Sequence, residues 1–397
     1  MKNKKGPIAL IFLVMLLDVM GFSILMPIAP FAVGRYSPDA IMVTMISFFF
    51  AFAAFLSAPI LGALGDHYGR RPVLLFCMIG SAIGYVIFGI GGALWILFLG
   101  RIVEGIAGGC ISTASAYLID ISTPEERAKN MGMIGIAYGL GFIIGPALGG
   151  ALGQISINAP VFAIAILSII GAVLVYLKLP ESLTAEHREP GHVKLKDFNP
   201  LHAISTMIFR PGLGLLLVIF ALFNLYFSGV GSMKALFLVH RFGSQPLQIG
   251  ALFVVSGIAT ALVQSLWSGK LITYFGEKNM ALSGLIGLTA GGILTALAPH
   301  FWLQFPISFL QAGITGFVWS CIGSLSAAYV SRREQGVLSG VNAAIGGLMA
   351  AIGPLLAGVA YDHVGMTSPF TYGALIPALA IALLWWKVKS STRSENR

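Results

Sequence analysis

Charged side chains are scarce in this chain: Asp, Glu, Lys and Arg make up 10% of its 397 residues, against about a quarter in a soluble domain. Water-facing surface cannot be covered at that density, which excludes an ordinary soluble globular protein. Cysteine is nearly absent as well. Cys77, Cys110 and Cys321 stand singly in apolar runs, without metal-ligand spacing, so each reads as a small packing residue and no metal site is expected. There is no nucleophile set beside a base and no phosphate-cradling glycine loop, so an enzyme finds no support and no organic cofactor is implied. Acids are the rarer sign of charge, 15 against 24 Lys and Arg, for a net charge of +9. In a soluble protein that excess would suggest nucleic acid. Here the basic residues fall in loops between apolar runs, where lipid head groups and topology account for them, and no nucleic-acid partner is expected.

What fills the chain is apolar sequence: 57% of residues are hydrophobic, and the mean hydropathy is +0.89. The pattern is that of an all-α polytopic membrane protein whose partners are the lipid bilayer and a small molecule. Twelve spans of about 20 residues can be marked, the length that a hydrocarbon core requires. They run roughly over 8–33, 41–64, 73–92, 94–118, 130–153, 159–178, 212–238, 247–269, 279–298, 302–328, 337–360 and 368–388. Lys2, Lys4 and Lys5 before the first run resemble a signal peptide, but that run continues to Val33 and carries Asp18, so it is taken as the first helix. With both termini placed in the cytoplasm of an inner-membrane protein, nearly all loop Lys and Arg lie on one side, including Arg127, Lys129, Lys270, Lys278, Arg332 and Arg333. The opposite loops keep Arg35 and Arg241.

One sizeable polar segment interrupts the pattern, from about Pro180 to Arg210. The expected organisation is therefore a six-helix half over 1–178, a cytoplasmic linker over 179–211 and a second half with a short tail over 212–397. The halves echo each other. Gly145-Pro146-Ala147-Leu148-Gly149-Gly150 returns as Gly353-Pro354-Leu355-Leu356-Ala357-Gly358, and Gly105-Ile106-Ala107-Gly108 returns at the same spacing as Gly313-Ile314-Thr315-Gly316. Parallel duplication of six-helix halves, with a substrate site near the bilayer midplane, is an architecture for alternating access.

The chain leaves the lipid most conspicuously at Gly62-Ala63-Leu64-Gly65-Asp66-His67-Tyr68-Gly69-Arg70-Arg71-Pro72. Gly62, Gly65 and Gly69 permit close approach or left-handed backbone, Arg70 and Arg71 anchor a cytoplasmic loop, and Pro72 suits the first turn of the next helix. Asp66 beside two arginines is either a loop ion pair of small energetic weight or half of a charge lock against a helix end. This stretch resembles the signature loop of the major facilitator superfamily, of the form G-x-L-x-D-x-x-G-R-R. The resemblance implies the major facilitator fold: twelve transmembrane helices in two pseudo-symmetric six-helix halves, acting as a monomer.

In the first half, the charged residues within spans and away from their ends are Asp18, midway along the first, and Arg101 and Glu104 on the fourth. A charge at a helix centre costs roughly 2.5–3.5 kcal/mol on insertion scales, so such residues face a protein interior or wet cavity and partner one another. Arg101 and Glu104, three apart, share a helix face. They form either a structural ion pair or a proton-coupling device, in which a helix movement that makes or breaks an acid-arginine contact loads or releases a proton. Leu17-Asp18-Val19-Met20-Gly21 with the following Met26-Pro27-Ile28-Ala29-Pro30, and Arg101 with Gly105 and Gly108, resemble the first-helix and fourth-helix motifs of the drug/proton antiporters. That resemblance implies protons as the coupling ion, with the arginine engaged in their movement and Glu104 as an extra titratable group. On the fifth helix Gly141, Gly145, Gly149 and Gly153 recur every fourth residue around Pro146, a stripe that admits close backbone approach with a kink at the proline. Its local form resembles the antiporter motif that separates exporters from importers.

Over its whole length the chain is similar to bacterial tetracycline/proton antiporters and their multidrug-efflux relatives. It departs from them at Gly84, Leu288 and Thr260, where the tetracycline pumps carry two membrane acids and a histidine, which points away from tetracycline itself. In the second half Asn224, Tyr226, Gln264, Gln311 and Asn342 are candidate cavity residues, with Met26 from the first half. Met20, Phe48, Phe52, Phe223, Phe227 and Trp319 could add an adaptable apolar lining. Lys234, near the outer end of the seventh span, is expected to snorkel to the interface. Together these features imply a proton-coupled exporter of small organic or amphipathic compounds. An exporter or importer of one dedicated metabolite, such as a siderophore or sugar-like compound, stands as the near alternative and a non-transporting membrane sensor as the distant one.

Overall fold

The computed structural model describes residues 5–183, 200–331 and 334–395. Among them every regular element is a helix, and twelve segments are long and apolar enough to cross a membrane. In hydrocarbon a backbone finds no water, so an apolar run of this length must close its hydrogen bonds within itself, as a helix does. The first spans are α1 (Lys5–Ile24), α3 (Ala40–Tyr68) and α4 (Arg70–Ile90), with a short α2 (Ala29–Val33) after α1. The fourth span is divided into α5 (Leu94–Ala107) and α6 (Cys110–Ile121), and α7 (Pro124–Gly153) and α8 (Ala159–Lys178) follow. A short α9 (Pro200–Ile208) precedes α10 (Leu213–Phe242). Next, α11 (Pro246–Leu262), a π-helical turn (Val263–Trp267) and α12 (Ser268–Phe275) make one continuous span. The remaining helices are α13 (Glu277–Leu297), α14 (Gln304–Ala327), α15 (Gln335–His363), the short α16 (Ser368–Thr371) and α17 (Leu375–Glu395).

Several spans differ in shape from their apolar runs. The first is not an unbroken helix to Val33: α1 stops at Ile24, and the chain turns through Met26 before α2 begins. Pro27 and Pro30 bring no N–H to continue the ladder, and tight bonds from Met26 N to Ser23 O and from Ile28 N to Leu25 O take its place. The fourth span breaks at Gly108 and Gly109. The Gly62–Pro72 stretch is not an extended loop. Helix α3 runs on through Gly62, Gly65 and Asp66 to Tyr68, and the break is confined to Gly69, whose φ of 104° lies where only glycine sits without strain.

By its internal contacts the chain divides into two compact units. Unit 1 comprises Met1–Pro38, Met45–Phe198 and Gln245–Val254, and unit 2 comprises Asp39–Thr44, Asn199–Ser244 and Val255–Arg397. The first turn of α3 thus belongs to unit 2 and its body to unit 1. Each unit caps a helix N-terminus with a carboxylate from elsewhere in the chain, where unpaired N–H groups favour negative charge. In unit 1 the Glu181 carboxylate accepts the N–H groups of Arg70 at 2.9 Å and Arg71 at 3.1 Å, at the start of α4. In unit 2 the Asp362 carboxylate accepts those of Ala40 and Ile41, both at 2.9 Å, at the start of α3. The remainder of the expected linker, 184–199, lies outside the described residues, as do Lys2, Lys4, Arg332 and Arg333.

Candidate functional site

The charged residues expected within the spans of unit 1 converge. Arg101 and Glu104 are 2% and 3% exposed and form an ion pair one turn apart on α5. Three helices complete the setting. From α3, the Ile46 carbonyl accepts a hydrogen bond from Arg101 Nε at 3.3 Å, and the Phe50 ring lies beneath the guanidinium, 4.3 Å from ring centre to Cζ. From α4, the Tyr85 hydroxyl donates to Glu104 Oε1 at 2.7 Å. From α1, Asp18 lies within electrostatic reach of Glu104, Tyr85 and Tyr138. Asp18 itself makes no hydrogen bond or ion pair among the described residues. Glycines make this convergence possible: a Cβ on Gly84 would sit 2.8 Å from both Glu104 N and Gly100 O, and one on Gly21 would strike the Tyr85 hydroxyl. At Gly84 the close α4–α5 approach leaves no room for a larger side chain.

The expected stripe on α7 is the seam against α1. Added Cβ atoms at Gly141, Gly145, Gly149 and Gly153 would meet Val19, Ser23, Pro27 and Ile28 in turn. Successive glycines therefore follow α1 from beside Asp18 to the turn at Pro27. The Ser23 hydroxyl crosses the seam to donate to the Gly141 carbonyl at 2.9 Å. Pro146 lies within α7, and in unit 1 a Cβ on Gly250 of α11 would lie 2.5 Å from its carbonyl oxygen.

At the α3–α4 junction Arg70 reaches Asp66 at 2.5 Å and Asp120 of α6 at 3.4 Å. Arg71 does not join that pair, its guanidinium donating to the Tyr176 carbonyl at 2.5 Å. Gly65 lets Arg70 lie across α3, whereas Gly62 has open space around it.

Unit 2 scatters its polar candidates. The Asn224 amide donates to the Phe220 carbonyl of its own helix at 2.8 Å, and the Tyr226 hydroxyl donates to the Phe370 carbonyl at 3.3 Å. The Gln311 amide donates to the Leu288 carbonyl at 3.3 Å, and Gln264, within the π-helical turn, keeps a buried Nε2 without a partner. Asn342 and Met26 are half-buried. Phe220, Phe223 and Trp319 pack edge to face, and Phe223 stacks on Phe227. Lys234 does not snorkel: it is 8% exposed, and its ammonium donates to the Ser308 hydroxyl at 2.7 Å, inside the unit, where a polar partner replaces the head-group region. A groove of about 500 Å³ between α4 and α8, lined by Ile79, Ile83, Ile169 and other apolar residues, holds none of these groups.

Tyr85, Asp120, Glu181 and Asp362 complete these arrangements and were not singled out from the sequence. A tyrosine in an apolar run looks like any packing residue, and an acid at a helix end looks solvated. Only the partner reveals the role.

Comparison with known proteins decides the family. The profile described as Major Facilitator Superfamily matches residues 11–245 and 216–397. The chain belongs to the major facilitator superfamily. This facilitator is 33% identical over 332 residues to the tetracycline resistance protein, class C, of Escherichia coli, covering 83% of each chain. It is 26% identical to multidrug resistance protein 2 of Bacillus subtilis (strain 168), covering 97% of its own length and 98% of that protein. Among solved structures, the human organic anion transporter MFSD10 (TETRAN) superposes with a TM-score of 0.73 at 24% identity, over 96% of this chain and 99% of that one, a likeness of fold. This facilitator is a multi-pass membrane transporter and not an enzyme.

Proposed function

We propose that this facilitator is a proton-driven antiporter that exports small organic or amphipathic compounds by alternating access, as a monomer in the cell membrane with both termini cytoplasmic. One observation carries the reading: the cluster in unit 1 holds two carboxyl groups, half-buried Asp18 and buried Glu104, against one guanidinium, Arg101. With Glu104 paired, Asp18 has no counter-charge. A carboxylate partly withdrawn from water and without a counter-charge is unfavourable, and protonation removes that cost. The cluster is therefore suited to hold one exchangeable proton. Movement of α1 along its glycine seam would change the surroundings of Asp18 while the Arg101–Glu104–Tyr85 group stays in place.

Export of organic compounds is supported by the names of the relatives, tetracycline and multidrug resistance proteins. Gly84, Leu288 and Thr260, where the resemblance to tetracycline pumps implies two acids and a histidine, favour a cargo other than tetracycline. The test is flux in liposomes across a pH gradient, using cationic, neutral and anionic fluorescent compounds. Wild type should move at least one class against its gradient, and Asp18→Asn should bind it yet lose the gradient-driven movement. Undiminished flux in a variant with Asp18, Arg101 and Glu104 all replaced by neutral isosteres would end the proposal.

A further inference from the structure

Lys234 is a buried cation that the proton-coupling cluster does not use. It sits about two turns before the end of α10, near enough to the interface to snorkel, yet its side chain turns inward and is 8% exposed. Its ammonium has one partner among the described residues, the hydroxyl of Ser308 on α14, which is itself 1% exposed. No carboxylate lies within ion-pair distance of it among those residues. A desolvated charge without a counter-charge is strongly unfavourable, so this arrangement asks for one.

The surplus at this point is all of one kind. Ser308 accepts from Lys234, which leaves two ammonium N–H groups and the serine O–H as donors without acceptors among the described residues. One turn earlier on α14, the buried Gln304 gives its amide N–H to the Thr295 carbonyl at 2.9 Å, and this fixes its Oε1 inside the unit without a partner. Convergent donors carrying a positive charge fit an oxyanion. A free amide oxygen one turn away fits an O–H or N–H on the same ligand.

We propose that Lys234 and Ser308 form an anion-recognition site for a small organic carboxylate, with Gln304 receiving a donor group of the same molecule. This deepens the proposed export function by giving one cargo class, organic acids, and rests on that reading for its role in transport. Lys234 supplies the charge, Ser308 a directional hydrogen bond, and the low polarity around them strengthens both.

The test is equilibrium dialysis of the full-length protein in lipid nanodiscs, with empty nanodiscs as control, against 1-naphthoate and its uncharged counterpart 1-naphthamide. Wild type should hold 1-naphthoate about tenfold more tightly than 1-naphthamide, the scale of one charge-assisted hydrogen bond. Lys234→Met should erase that preference while leaving 1-naphthamide binding unchanged, and Lys234→Arg should keep it. Ser308→Ala, which preserves the charge, should weaken 1-naphthoate severalfold and serves as the second variant should Lys234→Met fail to fold. Absence of 1-naphthoate binding, equal binding of the two probes by wild type, or an equal loss of both in Lys234→Met overturns the site. Binding is read without a gradient, so a protein that keeps the 1-naphthoate preference but shows no gradient-driven flux refutes the export proposal alone.

Discussion

Removing Arg101 should do far more harm than removing the pair it belongs to. In Arg101→Gln a buried Glu104 carboxylate loses its counter-charge, a change that costs about 3–5 kcal/mol and should appear as a much lower melting temperature of the purified protein. Replacing both, Arg101→Met with Glu104→Leu, removes the desolvation cost with the attraction and should restore most of that stability. The double variant should nevertheless carry no gradient-driven flux. Stability and transport recovering together would make Arg101–Glu104 a structural ion pair and nothing more. At this scale the charged residues themselves were legible, because a charge within an apolar run stands out. Tyr85 was not, since its role depends on a hydroxyl that Gly21 and Gly84 allow to lie between α1 and α5.

Between helices, the contrast among glycines of α7 is the informative quantity. A Cβ at Gly149 would lie 2.9 Å from Pro27 Cγ and press on the α1 backbone, whereas at Gly135 nothing lies within 4 Å. Gly149→Val should therefore destabilise by about 1–3 kcal/mol through overpacking, with loss of flux, while Gly135→Ala should stay within about 0.5 kcal/mol. Equal melting temperatures for the two would remove the seam. Four-residue spacing announced the stripe in the sequence, but not its partner. A second contact belongs to the helix ends. Glu334, just before α15, accepts a hydrogen bond from Arg210 at 2.8 Å and further bonds from the Ser331 backbone and hydroxyl. These partners, Arg210 foremost, lower its pKa from 4.5 to about 2. Because the folded-state value is the lower one, the stabilisation is fully present above pH 4.5 and fades as the pH falls towards 2. Glu334→Gln should flatten that part of the melting-temperature profile, and a wild-type slope retained in the variant would assign the acid sensitivity to other groups.

For the whole molecule, the uneven distribution of Lys and Arg among loops is the basis of the proposal that both termini are cytoplasmic. A C-terminal green fluorescent protein fusion should be fluorescent, and an alkaline phosphatase fusion at the same point inactive; the opposite pair of results would invert the topology. The number of spans followed from the apolar runs, because hydrocarbon leaves such a run no alternative to helix, but several helices extend past their runs, Ala40–Tyr68 to 29 residues and Pro246–Phe275 to 30. The echo of Gly145–Gly150 in Gly353–Gly358 is the sequence trace on which the expected internal duplication rests. The sequence could not say where the spans break, which depends on prolines and glycines competing with their neighbours, nor which helix faces which. Twelve apolar helices carry almost the same signal on every side, since lipid and protein interior are about equally apolar. The tertiary structure alone therefore decided that Gly141 to Gly153 line α1, that Tyr85 holds Glu104, that Asp362 caps α3 and that Lys234 turns away from the interface. Each of these is a pairing between residues distant in the chain, and the identity of one partner does not name the other.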